Sequence, residues 1–344
     1  MTDVNKISTT QLTAKDFASD QEVKWCPGCG NYSILAQIQR VSPSLGVKKE
    51  DFVWVSGIGC SSRFPYYMDT YGIHGIHGRA PAIASGVKIA RPELSVWMAT
   101  GDGDLLSIGG NHFIHICRRN VGVKMILFNN KIYGLTKGQY SPTSEQGKKT
   151  KSTPYGSVDY PFNPAMISIG AGVTFYARTI DREPKHMQEM IAKASEHHGT
   201  ALIEVYQNCN IFNDGAFASL TDKETKADNV LILEDGKPMV FGKDRDKGIK
   251  LDGTTPMVID LNDGVHSIND VWVHKEYDPY GHNAFILAEF TDNEDLPVPI
   301  GIFRRFEKPT YEELLVGQIE RIQEKKKVTS FEKLIGEGNV WTVE

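Results

Sequence analysis

Four cysteines in the sequence have a spacing that could bind a metal cluster. Cys26 and Cys29 form a Cys-x-x-Cys pair, whereas Cys60 and Cys209 are single and lie far apart along the chain. Such pairs occur in thioredoxin-like redox sites, in half of a zinc site and in iron–sulfur sites. A thioredoxin motif needs a strand directly before it, and no strand-like segment precedes Trp25. A zinc ribbon needs a second Cys-x-x-Cys, and the sequence has none. Four thiolates from three separate loops suit a [4Fe–4S] cluster, although Cys60 and Cys209 could equally be small packing residues.

The fifth cysteine has a different setting. Cys117 lies in the middle of the helix-like segment 113–117, so we expect it to pack in the core. The polar first 20 residues do not resemble a signal peptide, and an odd number of cysteines argues against a disulfide framework.

A second set of residues could bind a metal–diphosphate complex. Gly101-Asp102-Gly103 follows one strand-like segment, and Asn129-Asn130 follows the next strand-like segment. Between Gly103 and Asn129 lie 25 residues. This pattern is typical of thiamine diphosphate sites, although each turn is common by itself. Magnesium prefers oxygen ligands, and we predict that Asp102, Asn130 and the backbone carbonyl of Ile132 supply them. A helix beginning near Leu105 would direct its positive end at the phosphates.

Alternating strand-like and helix-like segments must position these residues. The pattern predicts an α/β fold with a mostly parallel sheet flanked by helices, in which ligands bind at the carboxyl ends of strands. The predicted strands are 52–55, 95–99, 123–128, 173–177 and 201–205. The predicted helices are 31–40, 80–90, 105–119 and 184–197.

The sequence divides into three parts. We predict an N-terminal arm over residues 1–20, a cofactor-binding α/β domain over 21–210, and a C-terminal extension over 211–344 that packs on that domain and on a partner subunit. Residues 134–164 are predicted to form a long loop that is either functional or mobile, and residues 310–327 an amphipathic helix.

Composition excludes several classes of protein. The 344 residues are 40% hydrophobic, which excludes a disordered chain. A net charge of −5 gives no basic field for nucleic acid, and no apolar run approaches the length of a membrane span. We therefore expect a cytoplasmic protein that binds neither nucleic acid nor membrane.

Taken together, the two sets of residues resemble the β subunit of 2-oxoacid:ferredoxin oxidoreductases, and most closely the two-subunit 2-oxoglutarate type. The resemblance covers about residues 21–215. The stretches that carry it are Trp25-Cys26-Pro27-Gly28-Cys29-Gly30-Asn31, Gly57-Ile58-Gly59-Cys60-Ser61-Ser62-Arg63, His74-Gly75-Ile76-His77-Gly78-Arg79-Ala80, Gly101-Asp102-Gly103-Asp104 and the segment from Asn129 to Gln139.

The resemblance implies roles for these residues. Cys26, Cys29, Cys60 and Cys209 would bind one [4Fe–4S] cluster, and Asp102, Asn130 and the Ile132 carbonyl would bind Mg²⁺. The residues implied to line thiamine diphosphate are Ile58, Gly59, Cys60, Ser61, His77, Gly101, Gly103, Asp104, Gly134 and Leu135. Cys60 would then belong to both sites.

The resemblance also implies a reaction and partners. The family oxidises a 2-oxoacid with coenzyme A to acyl-CoA and CO₂ and reduces two ferredoxins, reversibly. An α subunit would supply the second thiamine domain with its glutamate, in an (αβ)₂ assembly. Arg63 and Lys137 adjoin the predicted cofactor and are candidates to bind the carboxylates of the 2-oxoacid or the phosphates of coenzyme A.

Three alternatives remain open at the level of sequence. The substrate could be pyruvate instead of 2-oxoglutarate. The protein could be a thiamine-dependent decarboxylase or ligase without redox chemistry, which would leave the four cysteines without a role. It could also be a regulatory or scaffold protein whose four cysteines hold zinc, which would leave Asp102 and Asn130 without a role.

Overall fold

A twisted eight-stranded sheet forms the centre of the structure, a computed structural model that describes residues 12–326, 330–336, 341 and 343. The strands are β1 (Phe52–Ser56), β2 (Tyr71–His74), β3 (Ser95–Gly101), β4 (Val123–Asn129), β5 (Phe175–Ile180), β6 (Ala201–Tyr206), β7 (Val230–Ile232), β8 (Val240–Phe241), β9 (Lys247–Asp252), β10 (Thr255–Asp260) and β11 (Val298–Arg305). The large sheet has the order β2-β1-β3-β4-β6-β5-β11-β7, and β8 to β10 form a separate antiparallel sheet.

Neighbouring strands of the large sheet are parallel with one exception, the antiparallel pair of β5 and β11. The prediction of a mostly parallel α/β sheet is therefore confirmed. Residues after 210 supply β7 and β11 and so complete this sheet.

Helices cover both faces of the sheet, as parallel strands require. The helices of the described residues are α1 (Asn31–Val41), α2 (Ala80–Ala90), α3 (Asp102–Leu106), α4 (Gly110–Arg119), α5 (Pro164–Gly170), α6 (Pro184–Glu196), α7 (Ala218–Thr221), α8 (Lys226–Asn229), α9 (His282–Glu289), α10 (Tyr311–Lys326) and α11 (Phe331–Gly336). Alternate side chains of β1 show the two layers. Phe52 and Trp54 pack in the core with α1 and α6, whereas Val53 and Val55 pack with α2, α4, α5 and α9.

The helix predicted over residues 105–119 is wrong in one respect, because the structure has two helices there. The first, α3, already begins at Asp102, and the helix is interrupted before α4 begins at Gly110. The break lies where Gly109 packs against Gly78: a Cβ on Gly109 would lie 2.6 Å from the Asp104 carbonyl oxygen. Because of this close contact between backbones, α3 and α4 do not form one continuous helix.

The remaining predicted elements differ from the structure only at their ends. Strand β5 begins two residues later than expected, at Phe175, and α10 spans nearly all of the predicted 310–327 helix. Residues 1–11 of the predicted arm, and Lys327, lie outside the described residues. Residues 14–17 form a 3₁₀ turn that buries Phe17.

Residues 130–163 join β4 to α5 without forming a helix or strand. Turns and backbone hydrogen bonds hold this loop instead, for example Tyr133 N to the Gln139 carbonyl at 2.8 Å. Among the described residues, none of the helices has the length and apolar character needed to cross a bilayer.

Candidate active site

The polar turns that follow four strands lie side by side at one edge of the sheet. Strands β1, β3, β4 and β6 are adjacent and parallel, so their carboxyl ends meet at this edge. The turns are residues 57–60, 101–104, 129–132 and 207–209. Two adjoining cavities lie among them, one lined by Asp102 and the other by the four cysteines.

The Asp102 cavity has a volume of about 80 Å³. All thirteen residues predicted to bind thiamine diphosphate or magnesium line it. They are Ile58, Gly59, Cys60, Ser61, His77, Gly101, Asp102, Gly103, Asp104, Asn130, Ile132, Gly134 and Leu135. The fold thus brings together residues that are separated by up to 77 positions in the sequence.

The Asp102 carboxylate is buried and faces hydroxyl groups from the long loop. Its Oδ2 accepts hydrogen bonds from Ser141 Oγ at 2.5 Å and Thr143 Oγ1 at 2.6 Å. Burial raises the pKa of Asp102, and these hydrogen bonds oppose the shift without cancelling it. A cation beside this carboxylate would favour its charged form.

Asn130 lines the same cavity as Asp102, and both the oxygen and the nitrogen of its side-chain amide are hydrogen-bonded. Its Oδ1 accepts a hydrogen bond from Ile132 N at 3.2 Å, and its Nδ2 donates to Gln207 Oε1 at 2.9 Å. Lys131 between them has a φ of 55°, in the left-handed region. This bend lets both Asn130 and Ile132 line the same cavity.

Asp104 fastens three loops together at the wall of the cavity. Its Oδ1 accepts hydrogen bonds from the backbone N–H of Ile58 at 3.1 Å and of Gly78 at 2.8 Å. Its Oδ2 accepts from Thr100 Oγ1 at 3.0 Å, and His77 Nδ1 lies 2.8 Å from Oδ1. The carboxylate therefore sets the shape of the cavity.

Glycines are needed where backbone approaches side chains in this wall. A Cβ on Gly57 would lie 2.1 Å from Asp104 Oδ2, and one on Gly103 would lie 2.2 Å from the Tyr133 ring. Tyr133 in turn donates its hydroxyl to the Gly103 carbonyl at 2.9 Å. Larger residues at either glycine would displace the groups that form the cavity.

The second cavity, of about 190 Å³, is lined by the four predicted cluster cysteines and is called here the cysteine cavity. Cys26 is exposed, and the other three thiols are half-buried. A Cβ on Gly134 would lie 3.6 Å from both Cys60 Sγ and Cys209 Sγ. Cys60 lines both cavities.

The environment of two of these sulfurs, those of Cys29 and Cys60, disfavours negative charge. Burial, together with the neighbouring thiols, raises the pKa of Cys29 to about 12 and that of Cys60 to about 11. Within the described residues, no three His, Cys, Asp or Glu side chains come close enough together to hold a single metal ion. The four thiols line one cavity.

Cys117 lies away from this edge of the sheet. It is fully buried in α4 within the core beneath α2 and α4, in agreement with its prediction as a packing residue.

Two buried amides at the boundary of the cavities were not predicted from the sequence. Asn31 lines both cavities, is 1% exposed, and neither atom of its amide has a hydrogen-bond partner among the described residues. Gln207 lines the cysteine cavity, and its Nε2 lies 3.5 Å from Cys29 Sγ. Their positions beside Cys29 and Cys209 in the sequence were the available signal.

Arg63 and Lys137 lie on the cysteine cavity and not on the Asp102 cavity. Arg63 donates to the Lys24 carbonyl at 3.2 Å and also lines a third cavity of about 550 Å³. Lys137 is exposed and has a φ of 75°. Leu135 lines all three cavities and so lies between the cations and Asp102.

The chain is similar to known proteins over most of its length. A family model described as thiamine pyrophosphate enzyme, C-terminal TPP binding domain, matches residues 54–205. The chain is 48% identical to the 2-oxoglutarate oxidoreductase subunit KorB of Mycobacterium tuberculosis, over 96% of this chain and 88% of that protein. It is 45% identical to the 2-oxoglutarate synthase subunit KorB of Archaeoglobus fulgidus, over 54% of this chain and 69% of that protein.

A solved structure is similar over nearly the whole chain. It is a 2-oxoglutarate:ferredoxin oxidoreductase from Magnetococcus marinus with 2-oxoglutarate, coenzyme A and succinyl-CoA bound. The TM-score is 0.76 and the identity 32%, over 97% of this chain and 98% of that one.

Proposed function

Because the chain belongs to the family of β subunits of 2-oxoglutarate synthases and related 2-oxoacid:ferredoxin oxidoreductases, we propose that it holds one magnesium–thiamine diphosphate and one [4Fe–4S] cluster. With an α subunit, it would convert 2-oxoglutarate, coenzyme A and oxidised ferredoxin to succinyl-CoA, CO₂ and reduced ferredoxin, reversibly. The observation that carries this proposal is the contact of two cavities that share Cys60.

The Asp102 cavity fits a magnesium–diphosphate complex. Asp102 offers a buried carboxylate, Asn130 an amide oxygen and Ile132 a backbone carbonyl, all hard oxygen donors that Mg²⁺ prefers. The glycines leave backbone close to the space that a diphosphate would need. Ser141 and Thr143 occupy the Asp102 oxygen with their hydroxyl groups, and a bound magnesium ion would take over part of this contact.

The cysteine cavity fits an iron–sulfur cluster. Its four thiols line one cavity, and the buried amide of Asn31 on the same cavity has no hydrogen-bond partner among the described residues. Because buried amides are ordinarily hydrogen-bonded, an unpartnered one at a cavity wall favours a ligand that completes it. When bound, thiamine diphosphate supplies an electron sink for decarboxylation, and the cluster accepts electrons one at a time.

The residues of this chain would position the two cofactors and keep the distance between them short. Asp104 holds the 57–60 turn against β3, and this turn carries Cys60. The backbone of this turn therefore lines the Asp102 cavity, and the Cys60 side chain on the same turn would bind the cluster. Leu135 covers the boundary from the solvent side.

We propose that Arg63 and Lys137 attract the anionic substrates. Both line the cysteine cavity, as Leu135 does. The 2-oxoglutarate molecule carries two carboxylates and coenzyme A carries phosphates, which guanidinium and ammonium groups bind through charge-assisted hydrogen bonds. Preference for 2-oxoglutarate over pyruvate rests on the relatives' names.

The surface for the α subunit is proposed on the long loop. Exposed apolar side chains there include Tyr155, Val158, Tyr160 and Phe162, with exposed fractions between 50% and 98%. Tyr160 and Phe162 line a groove of about 910 Å³, and Tyr133 lines both this groove and the Asp102 cavity. A subunit seated on this apolar patch would reach the Asp102 cavity, in an (αβ)₂ assembly.

Ferredoxin is proposed to approach at Cys26. Among the four cysteines only Cys26 is exposed, and the apolar side chain of Ile211 lies exposed on the wall of the same cavity. A cluster bound there would have its shortest path to solvent at this point.

Metal and cofactor analysis tests the proposal. The chain should be co-purified with its α subunit under anaerobic conditions. We expect about four irons and four sulfides per β chain, bound thiamine diphosphate, and viologen reduction that needs both 2-oxoglutarate and coenzyme A. A colourless complex that contains zinc, or one that reduces viologen faster with pyruvate, would contradict the cluster or the substrate respectively.

A further inference from the structure

Gln207 joins the two cavities through a single amide group. It directly follows β6 and is fully buried. Its Oε1 accepts a hydrogen bond from Asn130 Nδ2 at 2.9 Å, and its Nε2 donates toward Cys29 Sγ at 3.5 Å. Asn130 is a proposed magnesium ligand and Cys29 a proposed cluster ligand, so this side chain touches one residue of each site.

The position of Gln207 is fixed by backbone on both sides. Its own N–H donates to the Asn129 carbonyl at 2.9 Å. On the other side, Gly30 at the start of α1 packs against it: a Cβ on Gly30 would lie 2.9 Å from Gln207 Cγ and 1.9 Å from Asp181 Oδ2. Only glycine allows this approach, and it leaves the glutamine little freedom to turn.

The hydrogen bonds determine which way each amide faces. Gln207 presents its oxygen to the Asn130 amino group, so its own amino group faces Cys29 and the Asn208 carbonyl. Asn130 consequently keeps its oxygen, which accepts from Ile132 N, on the side of the cavity. If Asn130 were reversed, its amino group would face the magnesium ion and repel it.

The amino group of Gln207 also has an electrostatic effect on the cysteine cavity. An N–H donor to a ligand sulfur stabilises the more negative, reduced state of a cluster and so raises its reduction potential. In this buried setting the donor is not replaced by water when it is removed.

We propose that Gln207 is a positioning residue for both cofactors, whose oxygen orients Asn130 toward magnesium and whose amino group stabilises the reduced cluster at Cys29. This inference rests on the proposed function. It adds a physical link between the two sites, because a displacement of one end of the amide moves the other.

The test uses the co-purified αβ complex with Gln207→Met, which preserves volume and removes the side-chain hydrogen bonds to Asn130, Cys29 and the Asn208 carbonyl. We expect the midpoint potential of the cluster to fall by about 59 mV, which for one electron corresponds to a tenfold lower ratio of reduced to oxidised cluster at a fixed potential. We also expect thiamine diphosphate to bind about tenfold more weakly in equilibrium dialysis at limiting Mg²⁺. Iron content should stay that of the wild type.

Asn208→Ala is the matched control, because the Asn208 side chain bonds Asp214 and Gly215 and reaches neither cavity. It should change neither quantity. If Gln207→Met keeps its iron and either quantity equals that of the wild type, the proposal of one amide serving both sites is wrong. A wild-type complex without iron would instead refute the cluster itself, which separates the two failures.

A measurement without substitution covers the case in which the methionine variant does not assemble. Gln207 is the glutamine that lines the cysteine cavity. Labelling glutamine side chains with ¹⁵N and recording pulsed EPR spectra of the reduced wild-type complex should show a weak ¹⁵N coupling to the cluster. Its absence would overturn the contact with Cys29.

Discussion

At the scale of single residues, the buried carboxylate of Asp102 permits a sharp test. Asp102→Asn keeps the shape of the side chain and removes its charge. We expect thiamine diphosphate affinity to fall by more than about 100-fold, since even partners of metal ligands contribute roughly 10- to 100-fold. Iron content should not change, because Asp102 lines only its own cavity. Cofactor and iron analysis of the αβ complex measures both.

The same variant should not destabilise the cofactor-free protein. Burial already raises the pKa of Asp102, so removing its charge removes a cost of folding. Asp252→Asn, at an exposed position at the end of β9, serves as the control and should leave both contents unchanged. Normal retention of thiamine diphosphate by Asp102→Asn would show that the ligand assignment is mistaken.

Two cysteines with different surroundings provide a second test. Cys209→Ser removes a thiol from the cysteine cavity, and we expect fewer than four irons per chain and loss of activity with viologen. Cys117→Ala removes a thiol from the core beneath α2 and α4, and should keep all the iron while lowering the melting temperature. Equal iron in both variants would exclude the proposed ligand set.

The cysteines and the Gly-Asp-Gly turn could be found in the sequence because their residue types are rare and their spacing is characteristic. Gln207 and Asn31 could not be found in this way. An amide is common in any loop, and its role depends on which way it faces and on what lies 3 Å from it. Those facts emerge only when the ends of β4, β6 and α1 are placed together.

At the scale of elements, the break between α3 and α4 depends on adjacent glycines with different surroundings. A Cβ on Gly109 would lie 2.6 Å from the Asp104 carbonyl, whereas one on Gly110 meets nothing within 4 Å. We expect Gly109→Ala to lower the free energy of unfolding by about 1–3 kcal/mol, as overpacking does. Gly110→Ala should be neutral or stabilising by up to about 1 kcal/mol. Denaturation of the two variants compares them directly, and an equal effect would contradict the account of the break.

Strand β4 carries a buried lysine whose titration should affect stability. Burial lowers the pKa of Lys124 to about 7, whereas in the unfolded chain it titrates near 10.5. Between these values the unfolded chain binds more protons, so the lysine's contribution to stability rises with pH. The destabilising effect of the lysine is complete below about pH 7 and disappears above about pH 10.5.

Lys124→Met isolates this effect from that of other groups. The variant also loses donors to the His197 and Gly199 carbonyls, but this loss does not depend on pH. We expect the stability of the wild type relative to the variant to increase from pH 7 to pH 10, by at most about 1.4 kcal/mol per pH unit. Melting temperatures of both complexes across this range measure it. A constant difference would show that Lys124 stays charged in the fold.

Strands with continuous apolar runs were predicted well, since burial on both faces of a sheet selects such runs. Strand β2 was missed because Tyr71–His74 is short, exposed and contains a glycine. The antiparallel strand β11 was not assigned to the main sheet. Its partner β5 lies more than 100 residues earlier, and the apolar pattern of a strand does not say which partner it pairs with.

At the scale of the whole molecule, the apolar patch on the long loop predicts where the α subunit binds. Val158→Asp would place a charge within the proposed interface, and we expect association with the α subunit to weaken at least about tenfold. Val265→Asp is the matched control, since Val265 is 80% exposed and Val158 is 81% exposed. Light scattering on mixtures of the separate subunits measures association, and equal weakening by both substitutions would argue against this surface.

The late position of β11 has a consequence for the growing polypeptide on the ribosome. Until residue 305 has been synthesised, one edge of β5 has no neighbour, although its other edge can already pair with β6. An open edge of this kind recruits strands from other molecules. A fragment that stops soon after residue 210 should therefore aggregate instead of yielding a minimal catalytic unit.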